Sequence, residues 1–106
     1  MSTTPIPPHV AIRLLIEDKL RVLADQTASA QDIQWVQEVH MTMTQPQRQV
    51  WSEISDNISR MHENLMAIGR APSGGQRMTP AALGPALALT MRNKALVDAY
   101  VTGRAA

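Results

Sequence analysis

The chain has 106 residues and a formal net charge of +1, with no cysteine and no phenylalanine. A chain of this length forms a single domain with one modest hydrophobic core. Leucine, isoleucine and valine together number 23, and alanine (14) and methionine (7) supply most of the other apolar side chains. This composition favours thin, closely packed helices over a β-sandwich, which needs more β-branched and aromatic residues. We therefore predict an all-α protein.

The lack of cysteine excludes disulfides, thiolate nucleophiles, zinc–sulfur sites and iron–sulfur clusters. Residues 1–5 lack the basic start of a secretory signal. The best apolar run, residues 10–16, is interrupted by Arg13 and is too short to span a bilayer. We therefore expect a cytoplasmic protein with no membrane contact. Eight arginines against two lysines, together with abundant alanine, suggest a GC-rich bacterial or phage genome.

Charge is distributed unevenly along the chain. Residues 1–68 carry five basic and eight acidic side chains, a net charge of −3. Residues 69–106 carry five basic side chains and a single acid, Asp98, a net charge of +4. An acidic N-terminal part and a basic C-terminal part indicate head-to-tail association or an anionic partner for the C-terminal part. Chance variation among so few charges explains the same numbers equally well.

The first half of the chain predicts two helices. Residues 1–8 contain three prolines and are expected to form a flexible tail. The first predicted helix covers residues 9–24, where apolar side chains recur every three or four positions. They are Ile12, Leu15, Ile16, Leu20 and Leu23. The second predicted helix follows Ser29, whose spacing to Asp32 resembles a capping box, and ends near Met43.

The third predicted helix has the strongest pattern in the sequence. Thr44 and Gln47 form a Thr-x-x-Gln capping box, and Gly69 is suited to the left-handed cap after Ile68. The apolar residues alternate three- and four-residue steps, as in the seam of a coiled coil. We predict that these six residues contact a partner or a second copy: Trp51, Ile54, Ile58, Met61, Leu65 and Ile68.

The C-terminal third begins with a break in composition. Residues 70–78 contain Pro72 and a Gly-Gly pair, which predict a flexible linker. The segment 79–106 is helical in pattern, but Pro85 leaves open whether it forms one kinked helix or two short ones. The predicted architecture is a three-helix bundle over residues 9–69 followed by a hinged C-terminal helical segment.

The polar residues form no catalytic or metal-binding pattern. His9, His40 and His62 lie on three different predicted helices, and none has a second ligand at the spacing that one metal ion requires. The glycine loop that begins at Gly69 lacks the lysine of a phosphate-binding loop. We therefore predict no catalytic residue, no cofactor-binding residue, no metal ligand and no enzymatic activity.

Two functions remain open from the sequence. The first is a protein–protein interaction protein (an adaptor, chaperone-like binder, inhibitor or assembly component) that self-associates through the third predicted helix. The second is a small nucleic-acid-binding regulator whose basic C-terminal segment contacts phosphates. The residues that would contact such an anionic partner are Arg70, Arg77, Arg92, Lys94 and Arg104.

Overall fold

In the computed structural model, which describes residues 6–69 and 80–103, the chain forms four α-helices. They are α1 (Pro8–Leu23), α2 (Ala30–Thr42), α3 (Gln45–Gly69) and α4 (Pro80–Thr102). Those two described ranges contain no β-strand. The all-α class is confirmed, and the predicted number of about three helices is one too low because the C-terminal segment forms a full helix.

The chain enters α1 through an ordered contact. Ile6 packs against the core, and α1 begins at Pro8, one residue earlier than predicted. Proline is favoured at this position because the first helical N–H has no partner within the helix. The Pro7 carbonyl accepts the N–H groups of Val10 and Ala11 at 3.0 and 2.8 Å. Residues 6–8, which belong to the predicted flexible tail, thus lie at the start of α1, and residues 1–5 lie outside the described residues.

Two polar caps determine where α2 and α3 begin. The Ser29 hydroxyl accepts the backbone N–H of Asp32 at 3.1 Å. At α3, the Thr44 hydroxyl accepts the N–H of Gln47 at 3.2 Å, and the side-chain oxygen Oε1 of Gln47 accepts the N–H of Thr44 at 2.9 Å. Each bond satisfies a donor that a helix start leaves unpaired. Both predicted N-terminal caps are therefore confirmed, whereas the left-handed cap predicted at Gly69 is wrong, because Gly69 is still helical in α3 and has no positive φ.

The C-terminal segment forms one continuous helix, α4, with Pro85 inside it. The proline ring removes one N–H from the hydrogen-bond ladder, yet the helix continues to Thr102. Gly103 ends it in the left-handed region, with φ of 74°, and its N–H donates to the Ala99 carbonyl at 2.9 Å. Residues 70–78, the predicted linker, lie outside the described residues.

Successive helices run in opposite directions. Arg21, near the end of α1, forms an ion pair at 3.4 Å with Asp32 in the first turn of α2. The start of α3 lies beside Tyr100 near the end of α4. Further along, the Thr90 hydroxyl lies 3.9 Å from the Met61 sulfur. These contacts define an up-and-down order in which α1 and α3 are parallel.

The core lies between α1, α3 and α4, and α2 adds Val36 and Val39 to it. Its three most buried large side chains are Leu15, Ile54 and Leu96, one from each of these helices. The core therefore extends past residues 9–69, the range predicted for the bundle. In the described chain, α2 approaches the backbone of α1 but not of α3 or α4. In the described residues α2 therefore has one helix neighbour, α1, whereas α1 contacts all three other helices.

Candidate functional site

An apolar groove of about 490 Å³ lies where α1, α3 and α4 meet, and α2 contributes no residue to it. We call it the α1–α3 groove. One wall consists of Ile16, Leu20 and Leu23 of α1, and the other of Ile58, His62 and Leu65 of α3. Each set has steps of four and three residues, which place its members in one stripe along the helix. The groove is thus about two helical turns long, or roughly 10 Å.

The walls of this groove are only partly buried. Leu20 is 51% exposed and Leu65 is 39% exposed, although both are large apolar side chains. Burying a leucine fully stabilises a protein by about 1.5–3 kcal/mol. Adjoining apolar side chains left in water are typical of surfaces that bind another molecule. The exposed walls make the groove the strongest candidate for a binding site in the described structure.

The polar groups that border the groove on α4 are bonded within the protein. The Thr90 hydroxyl donates to the Ala86 carbonyl at 2.9 Å. The Asn93 side-chain oxygen accepts a bond of 2.9 Å from the Asn57 amide. No aspartate, glutamate, lysine or arginine lines the groove. An occupant would therefore meet mainly apolar surface.

A second exposed apolar surface lies on α4. Leu87 is 58% exposed and Met91 is 74% exposed. Their spacing of four residues places them on one helix face, and we call this pair the Leu87–Met91 ridge. Thr90, which lines the groove, follows Leu87 by three residues and precedes Met91. Leu87 therefore lies beside Thr90 on the surface of α4, but neither residue of the ridge lines the groove.

The sequence analysis did not predict the ridge as a functional surface. The sequence does contain a pattern that points to it, a long uncharged stretch in α4. Residues 80–91 carry no charged side chain, whereas a helix at a protein surface ordinarily has one polar face. Such a helix needs apolar neighbours on every side. In the described structure, α4 receives them on the sides facing α1 and α3 only.

The six residues of α3 that were predicted to contact a partner fall into buried, half-buried and exposed groups in the fold. Ile54 and Ile58 are buried in the core, Trp51, Met61 and Ile68 are half-buried, and Leu65 is exposed. The first half of this seam packs on helices of its own chain. Its second half, around Leu65, borders the α1–α3 groove.

The five predicted anion-binding residues are not brought together in the described structure. Arg70, Arg77 and Arg104 lie outside the described residues. Arg92 donates to both carboxylate oxygens of Glu53, at 2.7 and 3.1 Å. This hydrogen-bonded pair raises the pKa of Arg92 and lowers that of Glu53. Lys94 is exposed and has no ion-pair partner among the described residues.

The histidines do not assemble into a metal site. Within residues 6–69 and 80–103, no three histidine, cysteine, aspartate or glutamate side chains are placed to hold a metal ion. His9 and His40 are exposed, whereas His62 lies half-buried in the groove. The backbone carbonyl of His40 accepts a 3.0 Å bond from the Arg48 guanidinium. In the same ranges, no helix has the length and apolarity needed to cross a membrane.

Fold and site together define an all-α, up-and-down four-helix domain with an apolar groove and an exposed apolar ridge on α4. A scan of protein-family models found no match to the chain, and neither did searches of curated proteins and of solved structures.

Proposed function

We propose that this protein is a non-enzymatic interaction protein that self-associates through the α1–α3 groove and the Leu87–Met91 ridge. The observation that carries the proposal is the number of large apolar side chains left exposed on the groove walls and on the ridge. Self-association would make it an assembly component, an adaptor or a chaperone-like binder. Its proposed compartment is the cytoplasm, which a cysteine-free composition fits.

The exposed apolar side chains of the groove and the ridge favour a function in which the chain binds a protein. Four large apolar side chains are exposed on these two surfaces: Leu20, Leu65, Leu87 and Met91. Together they expose on the order of half of the roughly 800 Å² that each partner buries in a stable interface. The rims of the two surfaces would supply the rest. Removing this apolar area from water drives most protein association.

The oligomeric state of the full chain tests the proposal. Sedimentation velocity would be measured from about 1 to about 200 µM, the range in which interfaces of modest area dissociate. We expect the average mass to rise with concentration above the 11.6 kDa of one chain. A mass of one chain at every concentration would overturn the proposal.

Nucleic-acid binding, the other function open from the sequence, has less support. Arg92 forms a hydrogen-bonded ion pair with Glu53, which neutralises one of the two basic residues of the segment that the structure describes. Fluorescence anisotropy with labelled DNA at low and moderate salt separates the two functions. Binding at low salt that weakens log-linearly with salt would favour a nucleic-acid-binding protein.

A further inference from the structure

We propose that the protein binds a small uncharged carbonyl compound, such as a ketone or an ester, in a cleft beside Tyr100. This cleft lies among the start of α1, the end of α2, the start of α3 and the end of α4. We call it the Tyr100 cleft. It shares no lining residue with the α1–α3 groove, so the proposal is independent of the proposed self-association.

The Tyr100 cleft has a volume of about 560 Å³. It lies between α2 and α4, whose backbones do not approach each other in the described residues. Val39 of α2 and Tyr100 of α4 form part of its wall. Sites for small molecules usually measure about 300–1,000 Å³, so the cleft has room for a compound of this class.

Tyr100 supplies an unpaired hydroxyl to the cleft. The residue is 2% exposed, and its hydroxyl makes no hydrogen bond in the part of the chain that the structure describes. In the same part, Arg21 Nη1 is the only fully enclosed side-chain nitrogen or oxygen without a bond, so the Tyr100 hydroxyl is not fully enclosed. The small exposed area of Tyr100 thus includes the hydroxyl and faces the cavities that this residue lines. Since most buried polar groups have a partner, this hydroxyl points to a ligand.

Two further hydrogen-bond donors lie beside Tyr100 at the start of α3. Thr44 and Gln47 line the cleft and, with Tyr100, an adjoining cavity of about 290 Å³. Their side-chain oxygens accept the two bonds of the α3 cap. The Thr44 O–H and the Gln47 side-chain NH₂ donate to nothing among the described residues. Three donors without acceptors call for an acceptor on the ligand, and the positive end of the α3 dipole favours the same group.

The charge of the cleft favours an uncharged acceptor over a carboxylate. Glu38 is the only charged side chain that lines the cleft, and it forms no ion pair within the described residues. Glu38 would repel an anion, whereas a neutral carbonyl oxygen accepts the same bonds. Ile6, Val39 and Met43 provide apolar wall. The matching ligand is therefore a carbonyl group on an aliphatic or aromatic body.

The pKa of Tyr100 agrees with this assignment. Burial raises the pKa of the phenol above its ordinary value, as expected for a hydroxyl that water reaches poorly. Such a donor loses little hydration when it bonds a ligand, so the new bond is gained at small cost. A bound carbonyl accepts a bond from the protonated phenol only, so it should raise this pKa further.

A titration of the full chain with 2-heptanone, followed by methyl and amide NMR shifts, tests the proposal. We expect saturable shifts at Ile6, Val39 and Met43, which line the cleft. Heptanoate, its anionic counterpart of equal length, should bind more weakly. The proposal is overturned if no shift saturates up to about 20 mM, a range that covers millimolar affinity. Shifts confined to Leu20 and Leu65 of the α1–α3 groove, or tighter binding of heptanoate, would also overturn it.

Tyr100→Phe isolates the hydroxyl, because it keeps the aromatic ring in the core. We expect the dissociation constant of 2-heptanone to rise about three- to tenfold, as for the loss of one hydrogen bond. The urea midpoint of the variant should not fall, since the hydroxyl has no bond within the described chain to lose. A lower midpoint would mean that the hydroxyl is bonded inside the protein, contrary to the proposal. Ser52→Ala, which removes an exposed hydroxyl of α3 outside the cleft, is the control and should change nothing.

Gln47→Glu tests the donors at the start of α3 without removing the cap. Glutamate serves as well as glutamine at this position of a capping box, so the N–H of Thr44 keeps an acceptor. The substitution replaces the amide donor by a carboxylate oxygen, and 2-heptanone should bind more weakly. Unchanged affinity in both the Tyr100 and the Gln47 variants would show that the ketone binds elsewhere.

Phenolate absorbance gives a readout of the contact itself. Saturating 2-heptanone should raise the titration midpoint of Tyr100, the single tyrosine of the sequence. A midpoint that does not move on saturation would contradict a hydrogen bond from Tyr100 to the carbonyl and would overturn the proposed site.

Discussion

The side-chain amide of Asn57 on α3 donates a hydrogen bond of 2.9 Å to the side-chain oxygen of Asn93 on α4. Asn57 is only 4% exposed and is a polar residue within the core. An unsatisfied buried amide costs about 1–3 kcal/mol, so the bond disfavours any register of α3 on α4 that separates the two residues. Apolar contacts between helices do not discriminate registers so sharply.

Replacing Asn57 should therefore destabilise the fold. We expect Asn57→Ala to lower the free energy of unfolding by about 1–3 kcal/mol, because it removes the bond and leaves a small cavity. In a protein that already carries Asn93→Ala, we expect Asn57→Ala to lower the free energy of unfolding by about 1 kcal/mol less than it does in the wild type. This difference is the coupling energy between the two residues. Urea unfolding at one fixed protein concentration measures both, since association shifts apparent stability.

Asn64→Ala is the matched control for this cycle. Asn64 lies two turns after Asn57 on α3, is half-buried, and has no side-chain hydrogen bond in the described structure. We expect its replacement to change the free energy of unfolding by less than about 0.5 kcal/mol. Additive effects of the Asn57 and Asn93 substitutions would show that the hydrogen bond contributes nothing to stability.

Tyr100 should titrate at unusually high pH. Its side chain is buried in the core, and burial raises the pKa of the phenol above its ordinary value of about 10 because the charged form loses hydration. Because the pKa of Tyr100 is higher in the folded state than in the unfolded state, the contribution of Tyr100 to the free energy of unfolding is complete at pH values below the unfolded-state pKa. It is lost as the pH rises through the folded-state pKa.

Absorbance of the phenolate measures this titration directly, because the sequence contains a single tyrosine. We expect the midpoint in the folded chain to lie above the midpoint of the same chain in concentrated urea. Equal midpoints would mean that the Tyr100 hydroxyl is in contact with water in solution.

The ion pair of Glu53 and Arg92 predicts an effect at acidic pH. The hydrogen bond from Arg92 holds the pKa of the Glu53 carboxyl below its ordinary range. The folded-state pKa is thus the lower one, so the contribution is complete above the unfolded-state pKa and is lost as the pH falls through the folded-state pKa. Both side chains are partly exposed, so water screens the pair and its effect on stability is small.

Carboxyl chemical shifts in an NMR titration measure the Glu53 pKa. We expect Arg92→Gln to raise the midpoint of Glu53 towards its ordinary value. Arg60→Gln is the control, because Arg60 is an exposed cation on α3, the helix of Glu53, and forms no ion pair in the described residues. An unchanged midpoint in the Arg92 variant would show that the pair does not persist in solution.

The local features of this fold could be predicted from the sequence because they depend on neighbouring residues. The start of α3 follows from Thr44 and Gln47, which bond each other across three positions. The start of α2 follows from Ser29 in the same way. Capping satisfies donors within one helical turn, so no knowledge of the rest of the chain is needed.

The candidate site depends on tertiary packing, which periodicity does not determine. Ile54 and Leu65 belong to the same alternating pattern on α3, yet one is fully buried and the other borders the groove. Leu20 likewise continues the apolar stripe of α1 and is half-exposed. A heptad-like spacing predicts that a helix has an apolar neighbour, but not whether that neighbour belongs to the same chain. The tertiary arrangement of the helices decides this, and no local pattern predicts it.

Asp25, at the end of α1, offers a stabilising substitution. It has φ of 55°, in the left-handed region, and its N–H donates to the Val22 carbonyl at 3.1 Å. The next N–H, of Gln26, donates to the Arg21 carbonyl at 2.8 Å, which completes a Schellman motif. Glycine adopts this conformation without steric cost, and an acid at a helix C-terminus is also unfavourable to the helix dipole.

We therefore expect Asp25→Gly to raise the free energy of unfolding by about 0.5–1 kcal/mol. Asp25→Asn isolates the electrostatic part, because asparagine removes the charge and also tolerates the left-handed region. Ala24→Gly is the opposite control: Ala24 has φ of −88°, so glycine there only adds freedom to the unfolded chain and should lower stability. Thermal unfolding at matched protein concentration measures all three. A glycine at position 25 that stabilises no more than asparagine would mean that the left-handed conformation costs aspartate nothing, and that the helix dipole alone accounts for the gain.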